Sequence, residues 1–216
     1  MSDQTADLEW RDGVIPVSTQ FDDPYFSLES GLDETRHVFL AGNDLPDRYQ
    51  DGFHIAELGF GTGLSMLTAL HAFTGEGTLH FTSFEAYPMA RADMEAALKA
   101  FPELDPAPLL DHWPATTIRT DRLHADIIIG DARETLPQWG GKADAWFLDG
   151  FSPAKNPELW APELMRQVGQ HTAEGGTFAT YTAAGHVRRS LADAGFTVER
   201  VQGYGRKRHM SIGQLT

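Results

Sequence analysis

The feature that most constrains this chain is a glycine-rich turn between an apolar strand and an apolar helix. Phe53-His54-Ile55-Ala56-Glu57-Leu58 reads as a strand, Gly59-Phe60-Gly61-Thr62-Gly63 as a tight turn, and Leu64 to Phe73 as a helix. Glycine lets the backbone bend sharply and approach a ligand closely, and the following helix offers unpaired N–H groups. Such a unit belongs to an open α/β sheet, where ligands bind outside the carboxyl ends of the strands. A dinucleotide fingerprint needs G-x-G-x-x-G, but Leu64 stands three residues after Gly61, so this turn is G-x-G-x-G. The missing third glycine makes a dehydrogenase the least favoured enzyme class.

Acids recur at the ends of the later strands. Leu79 to Phe84 ends at Glu85, and a helix is expected from Pro88 to Phe101 with Met89, Met94, Leu98 and Phe101 in the core. An acid at the end of a second strand is placed to accept hydrogen bonds from both ribose hydroxyls of an adenosine cofactor. Residues 102–116 hold four prolines and form a connection, whose Leu109, Leu110 and Trp113 must pack somewhere. A strand from Ala125 to Ile129 leads to Gly130-Asp131-Ala132 and a short helix, where Asp131 caps the helix, serves a ligand, or does both. Ala145 to Leu148 stops at Asp149, and the loop from Gly150 to Trp160 is dense in Gly, Pro and Asn, with Lys155 in its middle. Asp149 is either the N-cap of a turn or an acid of a functional site.

The remaining segments complete the pattern. Pro162 to His171 reads as a helix, Gly175 to Tyr181 as a turn and fifth strand, and Gly185 to Ala194 as a helix with Arg188 and Arg189 outward. Phe196 to Val201 and Met210 to Gly213 read as closing strands. The expected fold class is α/β: a doubly wound, Rossmann-like sheet over 51–216, mostly parallel with an antiparallel end. Residues 1–50 lack sheet-core alternation. Phe21-Asp22-Asp23-Pro24-Tyr25-Phe26-Ser27 suggests an ordered loop or hairpin, and Val38-Phe39-Leu40 a short strand. This predicts a small N-terminal β element packed on the main domain as a lid.

Composition narrows the function. The chain has 216 residues, 41% of them hydrophobic, which is enough for one α/β core. It has no cysteine, so thiol nucleophiles and Cys-based zinc sites are excluded, and no metal site is expected. No apolar run approaches the roughly 20 residues that span a bilayer, and the acidic N-terminus lacks a signal-peptide pattern, so no membrane partner and a cytoplasmic location are expected. The formal charge of −14 argues against a general nucleic-acid binder. Between Gly185 and His209, however, six basic residues face two acids, a net of +4 that leaves −18 for the remainder. That patch is either a solvated face or a local contact for a polyanion.

Specific motifs then carry a family resemblance. E-L-G-F-G-T-G resembles motif I of S-adenosylmethionine-dependent methyltransferases. Together with F-D-D-P-Y-F-S, F-L-D-G-F-S-P-A-K-N-P-E-L-W and the closing G-Y-G-R-K-R-H-M, the chain from about Trp10 to Gly213 resembles the MnmC/MnmD family of tRNA wobble-uridine methyltransferases. Ser65 and Met66 depart from the Asn-Phe-like pair usual in that family after the glycine loop. The resemblance implies a class I methyltransferase fold, S-adenosyl-L-methionine as cofactor, and tRNA as partner. The reaction it implies is methylation of 5-aminomethyl-(2-thio)uridine to the 5-methylaminomethyl form. Bifunctional relatives continue into an FAD-dependent oxidase. No second glycine fingerprint is present here, so no oxidase activity is expected, which leaves the upstream step to a separate FAD-dependent oxidase.

By that resemblance Glu57, Gly59, Phe60, Gly61, Thr62, Gly63, Glu85, Asp131, Ala132 and Asp149 would hold the cofactor. Tyr25 and Phe26 would close over it. Phe151 and Asn156 would shape the pocket of a flipped nucleotide, and Lys155 is a phosphate contact or a surface charge. Arg188, Arg189, Arg206, Lys207 and Arg208 would meet tRNA phosphates. Asp149 is the expected catalytic residue, holding the amine and helping to accept its proton, since an alkylamine is largely protonated at neutral pH. An amine needs no thiol adduct, so the absent cysteine fits amine methylation. Two rival readings remain: a methyltransferase for a small-molecule or protein amine, which leaves the basic patch idle, and a non-enzymatic nucleotide-binding module, which leaves the strand-end acids idle.

Overall fold

The computed structural model describes residues 5–27 and 30–216. β1 (Leu8–Arg11), β2 (Ile15–Ser18) and β3 (Asp23–Pro24) form an antiparallel sheet in that order, with Trp10 opposite Pro16 and Val17 opposite Pro24. The expected N-terminal β element therefore exists, but it ends before the second half of the segment. α1 (Gly31–Thr35) runs on through a wider π-helical turn over Arg36–Leu40 and a tighter 3-10 turn over Ala41–Asn43. The strand expected at Val38-Phe39-Leu40 is thus helical. All three side chains are buried, and Phe39 stacks on Phe147 at 5.2 Å between ring centroids. A short apolar run buried on several sides carries no period that separates helix from strand.

The main sheet is built from β4 (His54–Leu58), β5 (Leu79–Glu85), β6 (Thr117–Arg119), β7 (Leu123–Ile129), β8 (Ala143–Leu148), β9 (Thr172–Thr180), β10 (Phe196–Gln202) and β11 (His209–Leu215). Its helices are α2 (Leu64–Ala72), α3 (Arg91–Leu98), α4 (Ala107–Leu110), α5 (Ala132–Thr135), α6 (Pro162–Gln170) and α7 (Gly185–Asp193). The strand order is β10-β11-β9-β8-β4-β5-β7-β6. β7, β5, β4, β8 and β9 are mutually parallel, and β11 and β10 add the expected antiparallel end. β6 adds a second antiparallel edge beside β7, which the sequence reading did not anticipate.

Alternation along the central strands feeds two apolar layers. Ile55, Ala145 and Phe147 face the layer that includes α2, α3 and the N-terminal helical turns, whereas Ala56, Leu58, Trp146 and Leu148 face α5, α6 and α7. Met89 and Met94 are core residues, as expected. The proline-rich connection packs through Leu109, Leu110 and Trp113, and the Trp113 ring stacks on Phe60 at 5.6 Å. The winding direction reverses between β4 and β8. Ligands of open α/β sheets bind at such a switch point. There the chain leaves β4 at Gly59 and β8 at Asp149.

Candidate active site

At this sheet edge the described residues enclose a cavity of about 840 Å³, within the roughly 300–1,000 Å³ of small-molecule sites. Gly59, Phe60, Gly61 and Thr62 line it. Gly59 has φ +88°, and a Cβ there would overlap the carbonyl oxygen of Asp149. Only glycine allows the β4 and β8 exits to lie this close. Gly63, at φ +77°, is the N-cap of α2 and lies behind the lining, where a Cβ would strike Leu109.

Glu85 ends β5 in the cavity wall. Its Oε2 accepts the Gly61 N–H at 2.9 Å and its Oε1 the Tyr87 N–H at 2.8 Å. Burial raises its pKa, and these backbone donors oppose the rise. The carboxylate therefore braces the glycine turn while facing the cavity. Asp131 caps α5, accepting the Arg133 N–H at 2.9 Å and an ion pair from the Arg133 guanidinium at 2.5 Å, which holds its pKa low. It lines the cavity together with Ala132, so the cap and a place in the cavity wall coexist. Glu57 is different. It is buried within β4, outside the lining, and its Oε2 accepts the Ser83 hydroxyl at 2.7 Å. Its Oε1 has no partner, and burial followed by the field of Asp149 pushes its pKa well up.

Asp149 sits half-buried where the glycine turn and the β8 loop meet. Burial pushes its pKa up to about 7; the Lys207 ammonium pulls it down, Glu34 raises it, and a Ser65 hydrogen bond lowers it. The loop beyond it is held from the N-terminal sheet. The Ser152 N–H donates to Asp23 Oδ2 at 2.8 Å, and Lys155 Nζ donates to the Asp22 carbonyl and to its Oδ2 at 2.9 Å. Lys155 is accordingly a tether between loop and N-terminal sheet. Phe151 stacks on Phe21 at 4.8 Å and meets Tyr25 edge-on at 5.1 Å. Tyr25, Phe26, Phe151 and Asn156 all line the cavity. Burial and the nearby Glu85 raise the Tyr25 pKa, and Phe26 also packs on Phe101 at 4.9 Å.

The basic residues divide. Arg189 and Arg208 are exposed, and Arg188 is half-buried with Nε donating to the Ala183 carbonyl at 3.3 Å. Arg206 lines the cavity rim. Lys207 turns inward: its Nζ lies 2.7 Å from Glu34 Oε1 and 4.4 Å from the Tyr181 ring centroid. Glu34, Tyr181, Ser65 and Phe21 are cavity residues that the sequence reading did not single out. Ser65 stood out only as a departure from the pair usual after the glycine loop. Their signal was proximity in space, which spacing along the chain does not carry. Among the described residues, no group of three or more His, Cys, Asp or Glu is arranged to hold a metal ion, and no helix is long and apolar enough to cross a membrane.

Known proteins match this chain throughout. The tRNA 5-methylaminomethyl-2-thiouridine biosynthesis bifunctional protein MnmC of Idiomarina loihiensis is 45% identical over 231 residues, covering 96% of this chain and 38% of that protein. MnmC of Pseudomonas savastanoi is 47% identical over 220 residues, covering 94% and 33%. The chain spans between a third and two-fifths of the length of these curated relatives. The crystal structure of MNMC2 from Aquifex aeolicus superposes with a TM-score of 0.75 at 26% identity, covering 97% of this chain and 70% of that one. Residues 103–216 match a family described as S-adenosyl-L-methionine-dependent methyltransferase, and the chain belongs to that family.

Proposed function

We infer that this methyltransferase methylates the primary amine of 5-aminomethyl-(2-thio)uridine at the wobble position of tRNA, giving the 5-methylaminomethyl form. The observation that carries this reading is Asp149, a half-buried carboxyl with a pKa of about 7, set against Gly59 inside the cavity. The names and identities of the MnmC relatives supply the substrate class.

The residues suit the cofactor. A cradle kept open by glycine at Gly59 and Gly61, with a fixed carboxylate at Glu85 and another at Asp131, fits an adenosine with a ribose diol. Glu85 would hold the ribose hydroxyls, while Asp131 and the Ala132 backbone would meet the adenine edge. Glu57 supports the turn from behind. Tyr25 covers the ribose side beside Glu85. When bound, S-adenosyl-L-methionine supplies an electrophilic methyl group.

The chain's own task is to align the amine and remove its proton. A free alkylammonium has a pKa of roughly 10, whereas an ordinary aspartate lies near 4. Raising Asp149 to about 7 halves that gap and makes it a competent proton acceptor at the amine nitrogen. Phe151, held by Phe21 and Trp160, offers a flat wall for a flipped base. Arg188, Arg189, Arg206 and Arg208 form the outer basic surface for tRNA phosphates, and a separate FAD-dependent oxidase acts upstream.

The test is nucleoside mass spectrometry of tRNA from a strain lacking the activity, before and after incubation with the protein and cofactor. Conversion of aminomethyluridine to its methylated form is expected. An unchanged tRNA with methylation of a small amine would overturn the tRNA reading.

A further inference from the structure

The inward course of Lys207 has a chemical meaning if the acceptor is an amine, and the inference rests on that reading. Lys207 lies in the turn between β10 and β11, where its N–H donates to the Tyr204 carbonyl at 3.0 Å. Its ammonium contacts two groups from separate parts of the chain and acts through space on a third. Glu34 Oε1 on α1 is 2.7 Å away, and the Glu34 side chain is only 14% exposed. The face of Tyr181, just beyond β9, is 4.4 Å away. Asp149, beyond β8, feels the Lys207 charge. The Tyr181 ring cannot turn aside freely, because its hydroxyl donates to the Gly150 carbonyl at 2.6 Å. Two carboxylates and an aromatic face make a site for a primary ammonium.

The occupant, by contrast, is loosely held. The Lys207 side chain is 49% exposed and hangs from a hairpin turn on a flexible four-carbon stem. Exchanging one primary ammonium for another leaves the local charge balance unchanged, so displacement leaves neither carboxylate unpaired. A surface ion pair alone would not need a pinned ring behind it or a second acid beside it.

We propose that the Lys207 ammonium fills the seat of the acceptor's primary ammonium in the ligand-free site, and that Glu34 and Tyr181 are the residues that select an alkylammonium acceptor. The acceptor enters by displacing Lys207, and its nitrogen then lies between Glu34, Tyr181 and Asp149. Uncharged side chains of similar length are rejected because they would leave Glu34 and Asp149 without a counter-ion. Lys207, once displaced, is released to the outer basic surface.

The test is an NMR titration with n-propylammonium as probe and n-propanol as its uncharged control, on the parent chain and on Lys207→Met and Lys207→Ala. Both variants are expected to bind n-propylammonium about tenfold or more tightly than the parent. Adding Glu34→Gln or Tyr181→Leu to Lys207→Met should abolish that gain, and n-propanol should bind to none of them. Equal affinity in parent and Lys207 variants, or equal affinity for propanol, would overturn the seat. Because the titration needs neither tRNA nor methyl transfer, its failure is distinct from a failure of the parent chain to methylate tRNA.

Discussion

Gly59 and Asp149 leave adjacent parallel strands so close together that a Cβ on the first would occupy the space of the second's carbonyl oxygen. This contact joins the glycine turn to the proposed proton acceptor across the switch point. Gly59→Ala combines a backbone at φ +88° with that collision. We expect it to cost about 2–4 kcal/mol of stability and to separate the two loops. Denaturant unfolding and calorimetric cofactor titration should both report the loss. A variant with parental stability and affinity would show that the close approach is dispensable.

Asp149→Asn should preserve cofactor binding and reduce kcat by about 10²–10⁴-fold, the range for loss of a positioned acid–base group. In the parent, kcat/KM should rise with pH through about 7, as Asp149 of the free enzyme loses its proton. That limb should vanish in Asp149→Asn, and a persisting limb would assign it to another group.

The same residue predicts an effect on stability. Its folded-state pKa, about 7, lies above the ordinary 3.8. Between those values the native state binds more protons than the unfolded state, so Asp149 withdraws stability as pH rises through that window. The Tm of Asp149→Asn should therefore exceed the parent's at pH 8, and the advantage should shrink toward pH 4. Thermal scans at the two pH values decide it.

Glu85 both braces Gly61 and presents a carboxylate to the cavity. Glu85→Gln removes charge-assisted hydrogen bonds that are worth about 1.5–3 kcal/mol. Cofactor affinity should fall roughly 10- to 100-fold in a calorimetric titration. Unchanged affinity would remove Glu85 from the ribose site.

Lys155 and Arg208 were equally basic in the sequence, yet they should behave differently. Lys155 is paired with Asp22 and 4.0 Å from Asp23, whereas Arg208 and Arg189 are exposed. Arg189→Ala and Arg208→Ala should each reduce the salt slope of tRNA binding by about one unit, and Lys155→Ala should leave it unchanged. A shifted slope for Lys155→Ala would return it to the phosphate-contacting set.

Much of the architecture was legible because parallel strands buried on both faces read as apolar runs, and their ends are punctuated by glycine and acids. β4, β5, β7 and β8 were readable for that reason, as was the antiparallel end. Val38–Leu40 was not, since three consecutive buried residues fit a wedged helical turn as well as a strand. β6, a three-residue edge strand after a proline-rich connection, is too short to show a period. Among cavity residues, Gly59, Glu85, Asp131 and Asp149 announced themselves by position at or just after the end of a strand. Glu57 belonged to the same motif but faces the interior.

The sequence by itself determined the winding of the sheet, the strand ends that carry Glu85, Asp131 and Asp149, and the glycine turn. Each of these depends on local periodicity and local backbone freedom. Only the tertiary structure decided which groups meet. Asp22 and Asp23 reach Lys155 and Ser152 across more than a hundred residues, and Glu34 reaches Lys207 across a similar separation. The run R-K-R is uniform as text, but a hairpin turn sends its side chains to different environments. Lys207 faces carboxylates and an aromatic ring, while Arg208 faces solvent. The physical reason is that charge pairing acts through space at a few ångströms, and chain order encodes that distance only after the sheet has formed.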